Sequence, residues 1–204
     1  ARTTFAKNIK TLLEKNKLDG IDLDFEWAEN EKEYEDYSLA ILKMREMLGD
    51  KYLFSVSLHP VCYKISKEAI EAVDFISLQC YGPSPVRFPI EKYCSDIQMV
   101  LEYGIPKEKL VAGVPFYGVT KDNSKKTEAY FNFVQNGLVT SPAQNEVIYQ
   151  GDTYVFDGQD NIRIKTRYAK EQKLKGMMSW DLATDLPLSD SRSLLKTMTE
   201  ELRK

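Results

Sequence analysis

Apolar positions along the chain switch between a period near 3.6 and a period of 2, and the switches divide it into alternating helices and strands. Phe5, Ile9, Leu12 and Leu13 share one face of a helix from Phe5 to Leu18, with Thr3 or Thr4 placed to cap it. Strict alternation over Ile21–Phe25 predicts a short strand. A second helix spans Glu31–Leu48, carries Tyr34, Tyr37, Ile41, Leu42 and Leu48, and stops at Gly49. Tyr52–Leu58 reads as a strand ended by Pro60, Ser66–Val73 as a short helix, and Asp74–Tyr81 as an apolar strand. Then come a helix over Ile90–Tyr103 closed by Gly104, and a strand over Leu110–Val114. The rhythm resumes late, with a helix at Asn161–Lys173, a strand at Gly176–Trp180 and a last helix at Ser191–Arg203.

Between about Gly118 and Thr153 the pattern breaks. The stretch is long and polar, yet holds Tyr130, Phe131 and Phe133, so it is expected to be an insertion with structure of its own. Five strands alternating with helices predict an α/β fold with a parallel sheet. A closed (β/α)8 TIM-type barrel needs eight such units and about 250 residues. The pattern therefore leaves two options, an open sheet or a barrel represented by five of its strands.

Composition narrows function by exclusion. The 204 residues are 43% hydrophobic and 29% charged, ordinary for one globular domain over 1–204. A net charge of -3 without a basic stripe gives no sign of a nucleic-acid partner, and no apolar run is long enough to span a membrane. Cys62, Cys80 and Cys94 lack metal-ligand spacing, and His59 is the sole histidine, so neither a metal nor a cofactor is expected. Cys80 reads as a small core residue and His59 as structural. The start Ala1-Arg2-Thr3-Thr4 carries no initiator Met or signal sequence, and is expected to belong to a processed or excised piece.

The chemistry concentrates in Asp19-Gly20-Ile21-Asp22-Leu23-Asp24-Phe25-Glu26-Trp27. Strand side chains alternate, so Asp22, Asp24 and Glu26 project together at intervals of about 6–7 Å. Ile21, Leu23 and Phe25 then face helices. Stacked carboxylates on a buried face push at least one pKa upward, which suits a general acid. The competing reading is a solvated edge strand whose acids face water.

The run Asp-Gly-x-Asp-x-Asp-x-Glu resembles the signature of glycoside hydrolase family 18, the chitinases and their relatives. Later segments resemble further strands of that family's barrel in order: Ser55–Pro60, Phe75–Tyr81, Leu110–Gly118 and Gly176–Trp180. The resemblance implies a TIM-type barrel represented by strands four to eight, with an insertion after strand seven. It implies that Glu26 protonates the glycosidic oxygen while the sugar's own acetamide attacks the anomeric carbon. By the same resemblance Asp24 holds the acetamide, Asp22 shares a proton with Asp24, and Tyr81 donates its hydroxyl to the acetamide. Trp180 forms the floor under the sugar, and Gln79 and Tyr117 contribute contacts.

Two positions depart from the family pattern. Gly82 stands where an Asp often follows the strand-six Tyr, and Val119 where an Arg often follows Phe-Tyr-Gly; weaker contacts around the cleavage point are expected. The implied partner is a polysaccharide or oligosaccharide of N-acetylglucosamine, chitin above all, and the implied location is extracellular or cell-envelope. An N-glycan or peptidoglycan substrate and a non-catalytic, lectin-like role stay open. A barrel short of three strands has two open edges, so the 204-residue piece alone is expected to be inactive.

Overall fold

The computed structural model describes residues 1–204. In chain order its helices are α1 (Arg2–Asn16), α2 (Glu31–Leu48), α3 (Lys67–Ala72), α4 (Ile90–Tyr103), α5 (Tyr130–Gln135), α6 (Gln159–Glu171) and α7 (Leu194–Arg203). The strands are β1 (Gly20–Asp24), β2 (Leu53–Leu58), β3 (Phe75–Leu78), β4 (Leu110–Pro115), β5 (Tyr117–Thr120), β6 (Thr127–Ala129), β7 (Glu146–Tyr149), β8 (Asp152–Val155) and β9 (Gly176–Trp180).

Five strands form one parallel sheet in the order β1-β2-β3-β4-β9, joined by helical crossovers. It does not close: β1 pairs only with β2, and β9 only with β4. This is the α/β arrangement expected from the alternation, in its open form. The central strands are covered on one face, and Phe54, Val56, Leu58, Ile76, Leu78, Leu110, Ala112 and Val114 are almost fully buried beneath the helices. Along β2 and β3 these apolar residues alternate with Ser55, Ser57 and Ser77, which point to the opposite face of the sheet.

Polar groups at the joints are held individually. Asn30 caps α2 by accepting from the Glu33 N–H, and Ser66 caps α3 through the Ala69 N–H. The Lys109 ammonium donates to the carbonyls of Ile70, Glu71 and Val73, satisfying the far end of α3. Asp185 accepts from the Ser193 hydroxyl and the N–H groups of Leu194 and Leu195 at the start of α7. Lys165 on α6 is wholly buried and pairs with the equally buried Asp157 at 2.6 Å, while also donating to the Phe88 carbonyl at 2.9 Å.

Three sequence expectations change. Helix α1 begins at Arg2 with Ala1 at its cap position and no side-chain cap, so Thr3 and Thr4 lie within the first turn instead. Its buried residues are Ala6 and Leu13, whereas Phe5 and Leu12 are 43% and 46% exposed. The helix packs against α2 beside an edge strand, so only part of the expected apolar face finds a partner. Phe25 faces α2, its ring 5.2 Å from that of Tyr37 between centroids, but stays largely exposed rather than buried beneath the helix.

The insertion has structure, as its buried aromatics implied, and extends slightly beyond the expected bounds. An antiparallel sheet in the order β6-β5-β8-β7 runs from Tyr117 to Val155 and packs with α5. Phe133 sits among Tyr149, Tyr154 and Phe156 at centroid distances of 5.4–5.9 Å. Gly118 makes that packing possible, because a Cβ there would lie 2.6 Å from the Phe133 ring. No helix of the chain is long and apolar enough to cross a membrane.

Candidate active site

The site gathers where the parallel strands end. Gly20 lets β1 approach β2, since a Cβ at that position would lie 2.2 Å from the Leu53 carbonyl oxygen. The resulting register sets Asp22 opposite Ser55 and Asp24 opposite Ser57. The strand stops at Asp24, so Glu26 stands two residues beyond it, in the loop that leads to α2. The Glu26–Trp27 and Trp180–Asp181 peptide bonds are both cis.

One cleft of about 370 Å³ is lined by Asp24, Glu26, Trp27, His59, Gln79, Tyr81, Gly82, Pro83, Tyr117 and Trp180. Six of the seven sequence-derived site residues therefore meet around one space. Asp22 is the seventh and lies deeper along β1. Its two carboxylate oxygens accept from Ser55 Oγ at 2.5 Å and Ser57 Oγ at 2.8 Å, rather than engaging Asp24. Asp24 accepts from Gln79 Nε2 at 3.3 and 3.4 Å, a long and weak contact.

Asp22, Asp24 and Glu26 are exposed in this chain, on an edge strand, which corrects the expectation of a buried acidic face. The physical reason is the open sheet, which leaves nothing packed across β1. Even so, the Asp24 pKa is raised above its ordinary value, first by partial burial and then by the neighbouring Glu26 and Asp22 charges. The Gln79 amide opposes that rise. The crowding of carboxylates thus has its expected effect, at Asp24.

Tyr81 follows β3 and is 7% exposed, its ring edge-on to Tyr117 with centroids 6.4 Å apart. Burial drives both phenols well above their usual pKa, so each hydroxyl is held as a neutral donor. Gly113 on β4 leaves room for Tyr81, because a Cβ there would stand 2.9 Å from the ring and 2.7 Å from the Leu78 carbonyl. Trp180 ends β9 opposite Pro115, lines the cleft, and has more than half of its surface exposed. A second hollow of about 310 Å³ continues past Trp180, lined by Tyr117, Thr127, Glu128, Asp181 and Thr184 among others. Gly82 borders the main cleft, whereas Val119 is fully buried in β5 and does not reach it.

Two lining residues had no functional reading in the sequence. Trp27 was notable there only as the neighbour of Glu26, and His59 had no acid or nucleophile near it in the chain. The structure stacks their rings, with centroids 4.8 Å apart and planes 31° apart. Cys80 is fully buried, as a core residue should be, and burial pushes its thiol far up in pKa.

Comparison with known proteins agrees with this geometry. The model for "Glycosyl hydrolases family 18" matches residues 1–185. Probable chitinase 2 of Drosophila melanogaster is 24% identical over 248 aligned positions, covering 90% of this chain and 51% of that protein. A class V chitinase of Arabidopsis thaliana is 23% identical, covering 81% of this chain and 58% of its own length. The chain thus spans little more than half the length of these relatives.

Among solved structures, the chitinase ChiB of Flavobacterium johnsoniae superposes with a TM-score of 0.79 at 27% identity, covering 97% of this chain and 64% of that one. The chitinase-like agglutinin of Robinia pseudoacacia gives 0.80 at 19% identity over 98% of this chain and 72% of that one, a likeness of fold. With the five strands in barrel order, the acidic run at the end of β1 and a family model matching 185 consecutive residues, the chain belongs to glycosyl hydrolases family 18.

Proposed function

We propose that the polypeptide carrying this chain hydrolyses β-1,4 bonds in polymers of N-acetylglucosamine, chitin first among them, with retention at the anomeric carbon. The observation that carries the reading is the convergence on one cleft of Glu26, Asp24, Gln79, Tyr81, Tyr117 and Trp180, from four different strand ends. A carboxyl group, an amide, two neutral phenols and an open indole face are the groups needed to grip an acetamido sugar and protonate its leaving oxygen. The continuation of the hollow past Trp180 gives a polymer room to run on.

The steps follow from those groups. Glu26 gives its proton to the glycosidic oxygen as the bond to the anomeric carbon breaks. The substrate's acetamide oxygen attacks that carbon from the opposite face and forms an oxazolinium ion. Asp24 offsets the positive charge on the acetamide nitrogen, and the Tyr81 hydroxyl donates to the acetamide oxygen. Trp180 packs under the sugar ring. Water, deprotonated by Glu26, then opens the ion and restores the configuration. Asp22, fixed by two serine hydroxyls, acts through Asp24 by its charge. Such a polymer substrate fits an extracellular or cell-envelope location.

The lectin-like alternative has one observation in its favour, the fold-level likeness to an agglutinin. A fluorogenic chitooligosaccharide assay on the full-length polypeptide separates the two. Turnover should drop by about a hundredfold or more when the sugar's acetamide is replaced by a free amine, because the internal nucleophile is then gone. Equal rates on both substrates would contradict acetamide participation, and binding without any turnover would favour the lectin.

A further inference from the structure

His59 joins the two halves of the cleft. Its Nδ1 accepts the Val61 N–H at 3.2 Å, which leaves the proton on Nε2, and Nε2–H donates to the Tyr81 carbonyl oxygen at 3.0 Å. Its ring lies against Trp27, whose peptide bond follows Glu26 directly. Around it the same loops are tied again: His59 and Cys62 exchange backbone hydrogen bonds, and the Ala28 N–H donates to Cys62 Sγ at 3.1 Å. Thus three loops, after β1, β2 and β3, meet at one imidazole that is 5% exposed.

We propose that His59, as the neutral imidazole with its proton on Nε2, is a positioning residue that fixes the Glu26–Trp27 loop relative to Tyr81, so that both address the same sugar. The inference rests on the hydrolase reading for its kinetic consequence. Its geometry stands without it. A mobile Tyr81 loop would uncouple the hydroxyl donor from the acid, and a misplacement near 1 Å costs about a hundredfold in rate.

The charges around the ring favour the neutral form. Burial is the first cause lowering the His59 pKa below its ordinary 6.5, and Arg87, next to α4, adds to it. The Tyr81 carbonyl, Asp96 on α4 and Glu26 across the cleft pull the other way without reversing it. Arg87 and Asp96 are themselves paired at 3.0 Å, so their opposing effects largely offset.

Two substitutions in the full-length polypeptide separate positioning from bulk structure. His59→Phe keeps a ring against Trp27 and loses the bond to Tyr81, whereas the amide of His59→Gln can restore a donor to that carbonyl. The expected result is a fall of about tenfold or more in kcat for His59→Phe with KM within about threefold, and rescue to within about threefold of the parent kcat by His59→Gln. Parent-like kcat in His59→Phe, or equal losses in the two variants, would overturn the proposal.

A second measurement needs no turnover. In the 204-residue chain, Trp180→Phe leaves Trp27 as the sole tryptophan. Its emission should titrate with a midpoint below 6.5, and the transition should vanish when His59→Gln is added. A midpoint at or above 6.5, or a transition that survives His59→Gln, overturns the assignment even if the polypeptide proves not to be a hydrolase.

Discussion

Gly113→Ala places one methyl group where the fold has left no space. The new Cβ would lie 2.7 Å from the Leu78 carbonyl, 2.9 Å from the Tyr81 ring and 3.0 Å from the Met178 methyl. The Met178 end can swing aside, but the carbonyl belongs to β3, where Leu78 pairs with Ala112 of β4. It must retreat by roughly 0.7 Å to regain ordinary contact, and Tyr81 must move with it. Overpacking of this kind costs about 1–3 kcal/mol. For a domain of this size that corresponds to a fall of about 2–12 °C in Tm. Displacing Tyr81 should also lower kcat by about tenfold or more, with a smaller change in KM. Thermal melts and chitooligosaccharide kinetics on the full-length polypeptide read the two effects. A variant with reduced Tm and kcat within twofold of the parent would refute the assignment of Tyr81 to the reaction. Unchanged Tm would refute the packing argument itself.

Asp24→Asn should stabilise the protein at pH 7 while impairing catalysis. The raised Asp24 pKa means the folded state favours the protonated carboxyl, so its stabilising contribution is complete below pH 3.8 and is lost as pH rises through the folded value. The gain in Tm from the amide should therefore be present at pH 7 and disappear near pH 3. Lys165→Met strands the buried Asp157 carboxylate and should cost about 3–5 kcal/mol in denaturant unfolding, most of it recovered by adding Asp157→Leu. The 204-residue chain by itself should show far less turnover than the full-length polypeptide, because β1 and β9 are unpaired at their outer edges and the acidic strand faces solvent. Clear turnover by the short chain in the same assay would contradict that.

The sheet was legible because each strand's apolar run or alternation is bounded by Gly, Pro or a helix period, as at Gly49, Pro60 and Gly104. Which side of α1 is buried was not, because its period admits Phe5 and Leu12 as readily as Ala6 and Leu13; the open edge beside β1 decides. Asp24 and Glu26 stood out through a spaced motif and Gln79, Tyr81, Tyr117 and Trp180 only through the resemblance to the family; the packing of the strands brings all six to one cleft. His59 and Trp27 were not legible, since a ring stack between loops leaves no periodic trace. Nor were the Lys165–Asp157 pair and the Asp22–serine bonds, which depend on register and on side chains distant in sequence. Of the two departures from the family pattern, Gly82 borders the cleft, whereas Val119 is a short side chain buried in β5 that presents no charged group there.

The central claim is that Glu26 supplies the proton, and Glu26→Gln tests it with the least change in shape. The full-length variant should bind chitooligosaccharides about as well as the parent and lose about 10²–10⁴-fold in kcat. Parent-like turnover by that variant would contradict the account.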